Sequence, residues 1–218
     1  MRPTTWVLAA VVACLALLAP LAGASNTASF ADPAADAPSA APDLTSVQVT
    51  NDDLGNVVFR ISIPNRTALL DPDFVAILVD ADGRQHTGCS SGTFGAEYAL
   101  DVLSGRFLFG RCSSGSWSFK KKPASFGGSF GNSVLTLKAN RGDLGNAKAF
   151  QFRIGAATTS AADPAYDFAP DIGLAPWSYK VVAPQLAVKK PPARKAKACK
   201  KKQRRAVRCF RRTAGRHS

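Results

Sequence analysis

The feature that most constrains this chain is a two-residue apolar rhythm running from about residue 44 to residue 182, with no sustained 3.6-residue stripe beside it. In Asn56–Ile63, Phe59, Ile61 and Ile63 fall on one side, while Arg60 and Ser62 fall on the other. Ala96–Val102 sets Tyr98, Leu100 and Val102 against Glu97, Ala99 and Asp101. Phe150, Phe152 and Ile154 alternate in the same way with Gln151 and Arg153. Successive side chains of an extended backbone point to opposite faces, so this pattern predicts half-buried strands. Phe74–Asp80 is apolar on both faces and reads as a central strand. Leu44–Thr50, Arg106–Arg111, Ser116–Lys120, Ser133–Lys138 and Trp177–Val182 complete the set. Turn formers separate them at Asp52-Asp53-Leu54-Gly55, Asp82-Gly83, Gly127-Gly128 and Arg141-Gly142-Asp143. Many short strands with regular turns predict an all-β fold, an antiparallel, jelly-roll-like β-sandwich.

Charge divides the chain. Its formal net charge is +13, yet fourteen of its 28 Lys/Arg lie in residues 186–218, where there is no Asp or Glu. The remaining basic residues are balanced by 15 acidic ones, so the body is close to neutral. The segment 184–218 is expected to be a basic, largely unstructured tail. Lys200, Lys201, Lys202, Arg204, Arg205, Arg208, Arg211 and Arg212 are its candidate polyanion-binding residues. Such density attracts any polyanion without reading its sequence. Phe210 is the only aromatic there, which argues against base stacking and hence against nucleic acid as the partner.

The N-terminus has the order of a secretory signal: Arg2, an apolar run from Trp6 to Leu18, Pro20, then Ala22-Gly23-Ala24. The run is shorter than the ~20 residues that span a bilayer core, so cleavage after Ala24 is expected rather than a transmembrane anchor. Val11–Cys14 also resembles a lipobox, but the apolar core continues past it through Leu15, Leu17 and Leu18. Four domains follow: a signal peptide over 1–24, a disordered Ala/Pro/Ser linker over 25–42, the sandwich over 43–183 and the tail over 184–218. The expected location is secreted or bound to the cell envelope.

Export makes the cysteines structural. Cys89 with Cys112 would staple the body, and Cys199 with Cys209 would close a loop in the tail. Zinc is disfavoured, because neither pair has ligand spacing and the only histidines are His86 and His217.

Other motifs are weighed against simpler readings. Gly88–Gly92 matches the nucleophile elbow G-x-S-x-G, but no helical pattern follows it, and a turn bearing a disulfide fits better. With one histidine in the body and one Glu in the chain, catalysis has little support, and the chain reads as a non-enzyme. Asp80-Ala81-Asp82-Gly83 opens like an oxygen-rich calcium loop, which makes Asp80 and Asp82 candidate calcium ligands; the alternative is that Asp80 ends a strand and caps a turn. Asn65-Arg66-Thr67 is a glycosylation sequon by pattern. Trp117 and Trp177 are the body's only tryptophans and the candidate ligand platform; core packing is the competing reading.

The succession of Asp43-Leu44, Asp80-Ala81-Asp82, Thr87-Gly88, Glu97-Tyr98, Asp167-Phe168-Ala169-Pro170-Asp171 and Trp177-Ser178-Tyr179 resembles exported bacterial β-sandwich domains. These are similar to the family-nine carbohydrate-binding modules and, more distantly, to DOMON domains. The resemblance implies an antiparallel sandwich, sugar binding and, in some members, calcium. Haem, held by Met and His in some DOMON domains, is disfavoured because the body has no Met. The expectation is therefore a carbohydrate-binding module whose cationic tail holds anionic envelope polymers. The alternative is a structural or adhesion protein held by that tail, with the sandwich as scaffold.

Overall fold

The computed structural model describes residues 24–91, 94–158 and 164–182. Residues 1–23 and 183–218 carry the expected export signal and the basic tail with Cys199, Cys209 and Lys200 to Arg212; they lie outside the described residues.

Fourteen strands and no helix make up the described residues: β1 (Ala24–Ala31), β2 (Ser46–Asp52), β3 (Asn56–Ser62), β4 (Asp73–Asp80), β5 (Cys89–Ser91), β6 (Phe94–Ala96), β7 (Tyr98–Leu103), β8 (Arg106–Ser113), β9 (Ser116–Ser118), β10 (Gly127–Gly131), β11 (Val134–Asn140), β12 (Ala149–Thr158), β13 (Ala165–Ala169) and β14 (Trp177–Lys180). One sheet runs β1-β2-β3-β11-β10. The other runs β13-β12-β4-β7-β8-β9, and β14 continues beside β12 where β13 ends. A small β5–β6 pair stands apart, and every pairing is antiparallel. The fold is an all-β, two-sheet sandwich.

The inner faces are those the alternation marked. Phe59, Ile61, Leu135 and Leu137 of the first sheet meet Val75, Ile77, Leu100, Phe150, Phe152 and Ile154 of the second in one core. Phe59 sits 5.6 Å from Phe152 and 5.9 Å from Phe150, ring centroid to ring centroid. β4 lies between β12 and β7, as its two-sided apolarity predicts.

Two expectations change. Residues 25–42, expected as a disordered linker, begin with a strand that pairs along β2 from Ala24 to Ala31. The connection after it is tied down by its backbone. Ala35 N–H donates to Asp43, and the Ala40 carbonyl accepts from Thr158 Oγ1 (2.6 Å) and from Arg66. Ala41 and Leu44 are fully buried. Small side chains with little to bury still pack when their backbone polar groups find partners. Gly127-Gly128, expected as a breaker, lies inside β10. A Cβ on Gly128 would come within 2.5 Å of the Thr136 carbonyl oxygen and 2.8 Å of the Phe107 ring, so glycine here permits close packing rather than a turn.

β14 is stitched to the opposite sheet. The buried Tyr179 hydroxyl donates to Asn51 Oδ1 (3.0 Å), and Asn51 Nδ2 donates to the Val182 carbonyl (2.7 Å). Burial pushes the Tyr179 phenol up to about 12.

Candidate functional site: an aromatic groove over a buried carboxyl

The outer face of the larger sheet should face water, yet its centre does not. Cross-strand register places Phe168 (β13), Gly155 (β12), Ala76 (β4), Asp101 (β7) and Leu108 (β8) in one row. A neighbouring row runs Arg153, Leu78, Ala99 and Gly110. Gly155 and Ala76 in the first row and Ala99 in the second leave a trough of about 760 Å³, with these residues and Asp101 in its floor.

Aromatic side chains wall it on both sides. On one side Phe168 lies over Gly155, and Tyr166 stacks on Phe168 at 6.3 Å. On the other, Trp117 stands 6.4 Å from Phe119. Phe119 folds down onto the sheet because residue 110 is glycine: a Cβ there would sit 2.7 Å from its ring. The segment after β13 overhangs the trough with Ile172 and Leu174, and Arg153 donates to the Leu174 carbonyl. Phe119, Tyr166, Ile172 and Leu174 are 42%, 52%, 77% and 56% exposed, so the apolar rim is open to solvent. A concave apolar surface with a few convergent polar groups is the usual form of a small-ligand site.

The polar group is Asp101. It is 5% exposed, and its Oδ1 has no hydrogen-bond partner among the described residues. Burial alone pushes its carboxyl up to about 7, so near neutral pH it exchanges between acceptor-only carboxylate and proton-bearing acid. Alternation placed Asp101 on the outer face correctly, but its burial depends on walls contributed by β9 and β13. A lone Asp inside an apolar strand was the available signal.

The two tryptophans do not form a shared platform. Trp117 lines the groove. Trp177 pairs across from Phe152 on β12 and turns inward, stacked on Phe30 of β1 at 5.1 Å and 5.7 Å from Phe152. It closes the core between the sheets instead of facing a ligand.

Asp80 and Asp82 come together with Glu97, each offering one carboxylate oxygen within 4.8 Å of the others. Much of their capacity already shapes the turn. Asp80 Oδ1 accepts from Gly83 N (2.6 Å), Asp82 Oδ1 from Arg84 N (2.9 Å) and Thr87 Oγ1 (2.9 Å), and Glu97 Oε2 from Ala81 N (2.8 Å). Burial raises the Asp80 and Glu97 carboxyls. Ser90 of the elbow-like motif lies in β5, paired with Gly95 of β6, so the segment expected as a disulfide-bearing turn is a short strand and no strand-to-helix turn. Both amide atoms of Asn65 are engaged, with Asp43 N and the Ala41 carbonyl.

Cys89 and Cys112 form a disulfide, with Cα atoms 5.5 Å apart. It ties β5 to β8 at the residue directly across from Trp117 of β9. No family model, curated protein or solved structure matches this chain.

Proposed function

We propose that this chain is an exported binding module that holds a small ligand in the outer groove, with a flat apolar body between the aromatic walls and a hydrogen-bond donor on Asp101. The carrying observation is the buried Asp101 carboxyl on the floor of an otherwise apolar trough, its Oδ1 without a hydrogen-bond partner among the described residues. Leaving such a group without a partner costs about 1–3 kcal/mol. A donor on the ligand would recover that cost, and a ligand without one would not. The aromatic walls would add roughly 0.5–1.5 kcal/mol per ring contact beyond the area buried.

Carbohydrate is the neighbouring reading, since a sugar ring stacks on Trp117-like surfaces and donates hydroxyls to carboxylates. A sugar has many hydroxyls, however, and the charged groups lining this groove are Asp101 and Arg153. The lining favours an aromatic or amphipathic ligand. Binding rather than catalysis is the reading, because the described lining holds no serine, threonine, cysteine or histidine beside Asp101. The test is titration with N-phenyl-1-naphthylamine, a neutral aromatic amine with one donor, read by its fluorescence. Saturable binding that competing oligosaccharides do not displace supports this reading. Displacement by an oligosaccharide restores carbohydrate as the ligand class, and no saturable binding overturns the groove as a site.

The tail supports a second, separate activity: attachment to anionic envelope polymers. The observation is fourteen Lys/Arg in residues 186–218 without one acidic residue. Should the tail alone function, the sandwich would be a scaffold.

A further inference from the structure

A second carboxylate cluster lies where the edges of the two sheets meet. Asp32 follows β1, Asp36 lies in the β1–β2 connection, and Asp167 belongs to β13. One carboxylate oxygen from each lies within 4.8 Å of the others. Asp43 acts electrostatically on both Asp32 and Asp167, and Asp171 acts on Asp32. Acidic clustering alone means little, but here one member is buried and unmatched. Asp32 is 8% exposed, and its Oδ2 has no hydrogen-bond partner among the described residues. Asp167, 5% exposed, spends Oδ2 on the Leu44 N–H at 2.6 Å. Burial, then repulsion from Asp167, Asp171, Asp36 and Asp43, pushes Asp32 up to about 7.

The geometry points to a calcium site formed by Asp32, Asp36 and Asp167, with Asp43 and Asp171 around it. The donors are all carboxylate oxygens, which select a hard cation over zinc or copper. They come from an irregular connection and a strand edge rather than a rigid octahedral frame, which suits calcium better than magnesium. The ion would supply the partner that Asp32 Oδ2 lacks and would offset the mutual repulsion of the cluster. It would also join β1, the edge of one sheet, to β13, the edge of the other. This site is separate from the Asp80/Asp82/Glu97 turn and does not rest on the groove binding any ligand.

The experiment is thermal melting of the full chain in millimolar calcium chloride and in EGTA, for the wild type, Asp32→Asn, Asp167→Asn and Asp82→Ala. Calcium is expected to raise the wild-type Tm by roughly 5–10 °C at a hundredfold excess over its Kd. Asp32→Asn and Asp167→Asn should lose that rise, and Asp82→Ala should keep it. In EGTA, Asp32→Asn should melt no lower than the wild type, since it removes one of several crowded charges; this separates lost binding from lost folding. A wild type whose Tm ignores calcium overturns the site, as does an Asp32→Asn protein that still responds in full.

Discussion

Trp117 stands directly across from Cys112 in the β8–β9 ladder, so the Cys89–Cys112 disulfide and one wall of the groove share a single cross-strand pair. β9 is only three residues long and forms the end of its sheet. So short an edge strand gains little from its own ladder. Its position depends on β8, which the disulfide ties to β5.

Replacing both cysteines by serine should therefore act twice. The sequence separation of 23 corresponds to roughly 3 kcal/mol in the chain-entropy model. The expected Tm loss is about 5–12 °C. Trp117 emission should also shift to longer wavelength as its wall loosens. A melting change without any change near Trp117 would separate the staple from the groove.

Asp101 gives a pH signature. Its carboxyl titrates at about 7 in the folded chain against 3.8 when unperturbed. Below 3.8 both states are protonated, and the group contributes nothing. As pH rises toward 7 only the unfolded chain releases this proton, so stability falls through that window and levels off above it. Asp101→Asn cannot ionise. Urea denaturation should show it equal to the wild type near pH 4 and more stable by about 2–4 kcal/mol at pH 9. A pH-independent difference would mean that Asp101 does not titrate as a buried acid.

Ala76→Leu tests the groove itself. Ala76 lies between Asp101 and Gly155 in the floor, where a larger side chain fills ligand space without touching the core. Stability should change by less than about 1–3 kcal/mol, the range for overpacking. N-phenyl-1-naphthylamine affinity should fall more than about tenfold, equivalent to 1.4 kcal/mol. Retained affinity would place the probe elsewhere.

The tail predicts a salt effect. The chain without residues 184–218 should lose binding to anionic envelope polymer, measured by co-sedimentation. Binding of the intact chain should weaken steeply between about 50 and 200 mM salt, because each neutralised charge releases counterions. Equal binding by the shortened chain would leave the tail as a solubilising extension.

Much of the fold was legible because it depends on local period. The alternation of Phe59, Ile61 and Ile63, and of Phe150, Phe152 and Ile154, assigns an inner face whichever strands become neighbours. Among the strands that were not legible, with β5 and β13, are β1 and β10. Ala, Ser and Gly carry almost no apolar signal, and these segments are strands because partners in β2 and β11 complete their backbone hydrogen bonds. Trp177 shows the limit for sites. Its residue type suits a ligand platform, but its cross-strand place beside Phe152 sends it inward.

The sequence alone determined an all-β chain with paired faces, a cysteine pair within the body and a segregated cationic tail, because periodicity, cysteine spacing and charge are properties of neighbours along the chain. Tertiary structure decided everything that joins distant residues. It set Asp101 under walls from residues 117–119 and 166–174, turned one tryptophan into the groove and the other into the core, and brought Asp32 to Asp167 across 135 positions of sequence. Burial, and with it the raised carboxyls of Asp101 and Asp32, depends on which strands become neighbours, and strand order is not written in any local pattern.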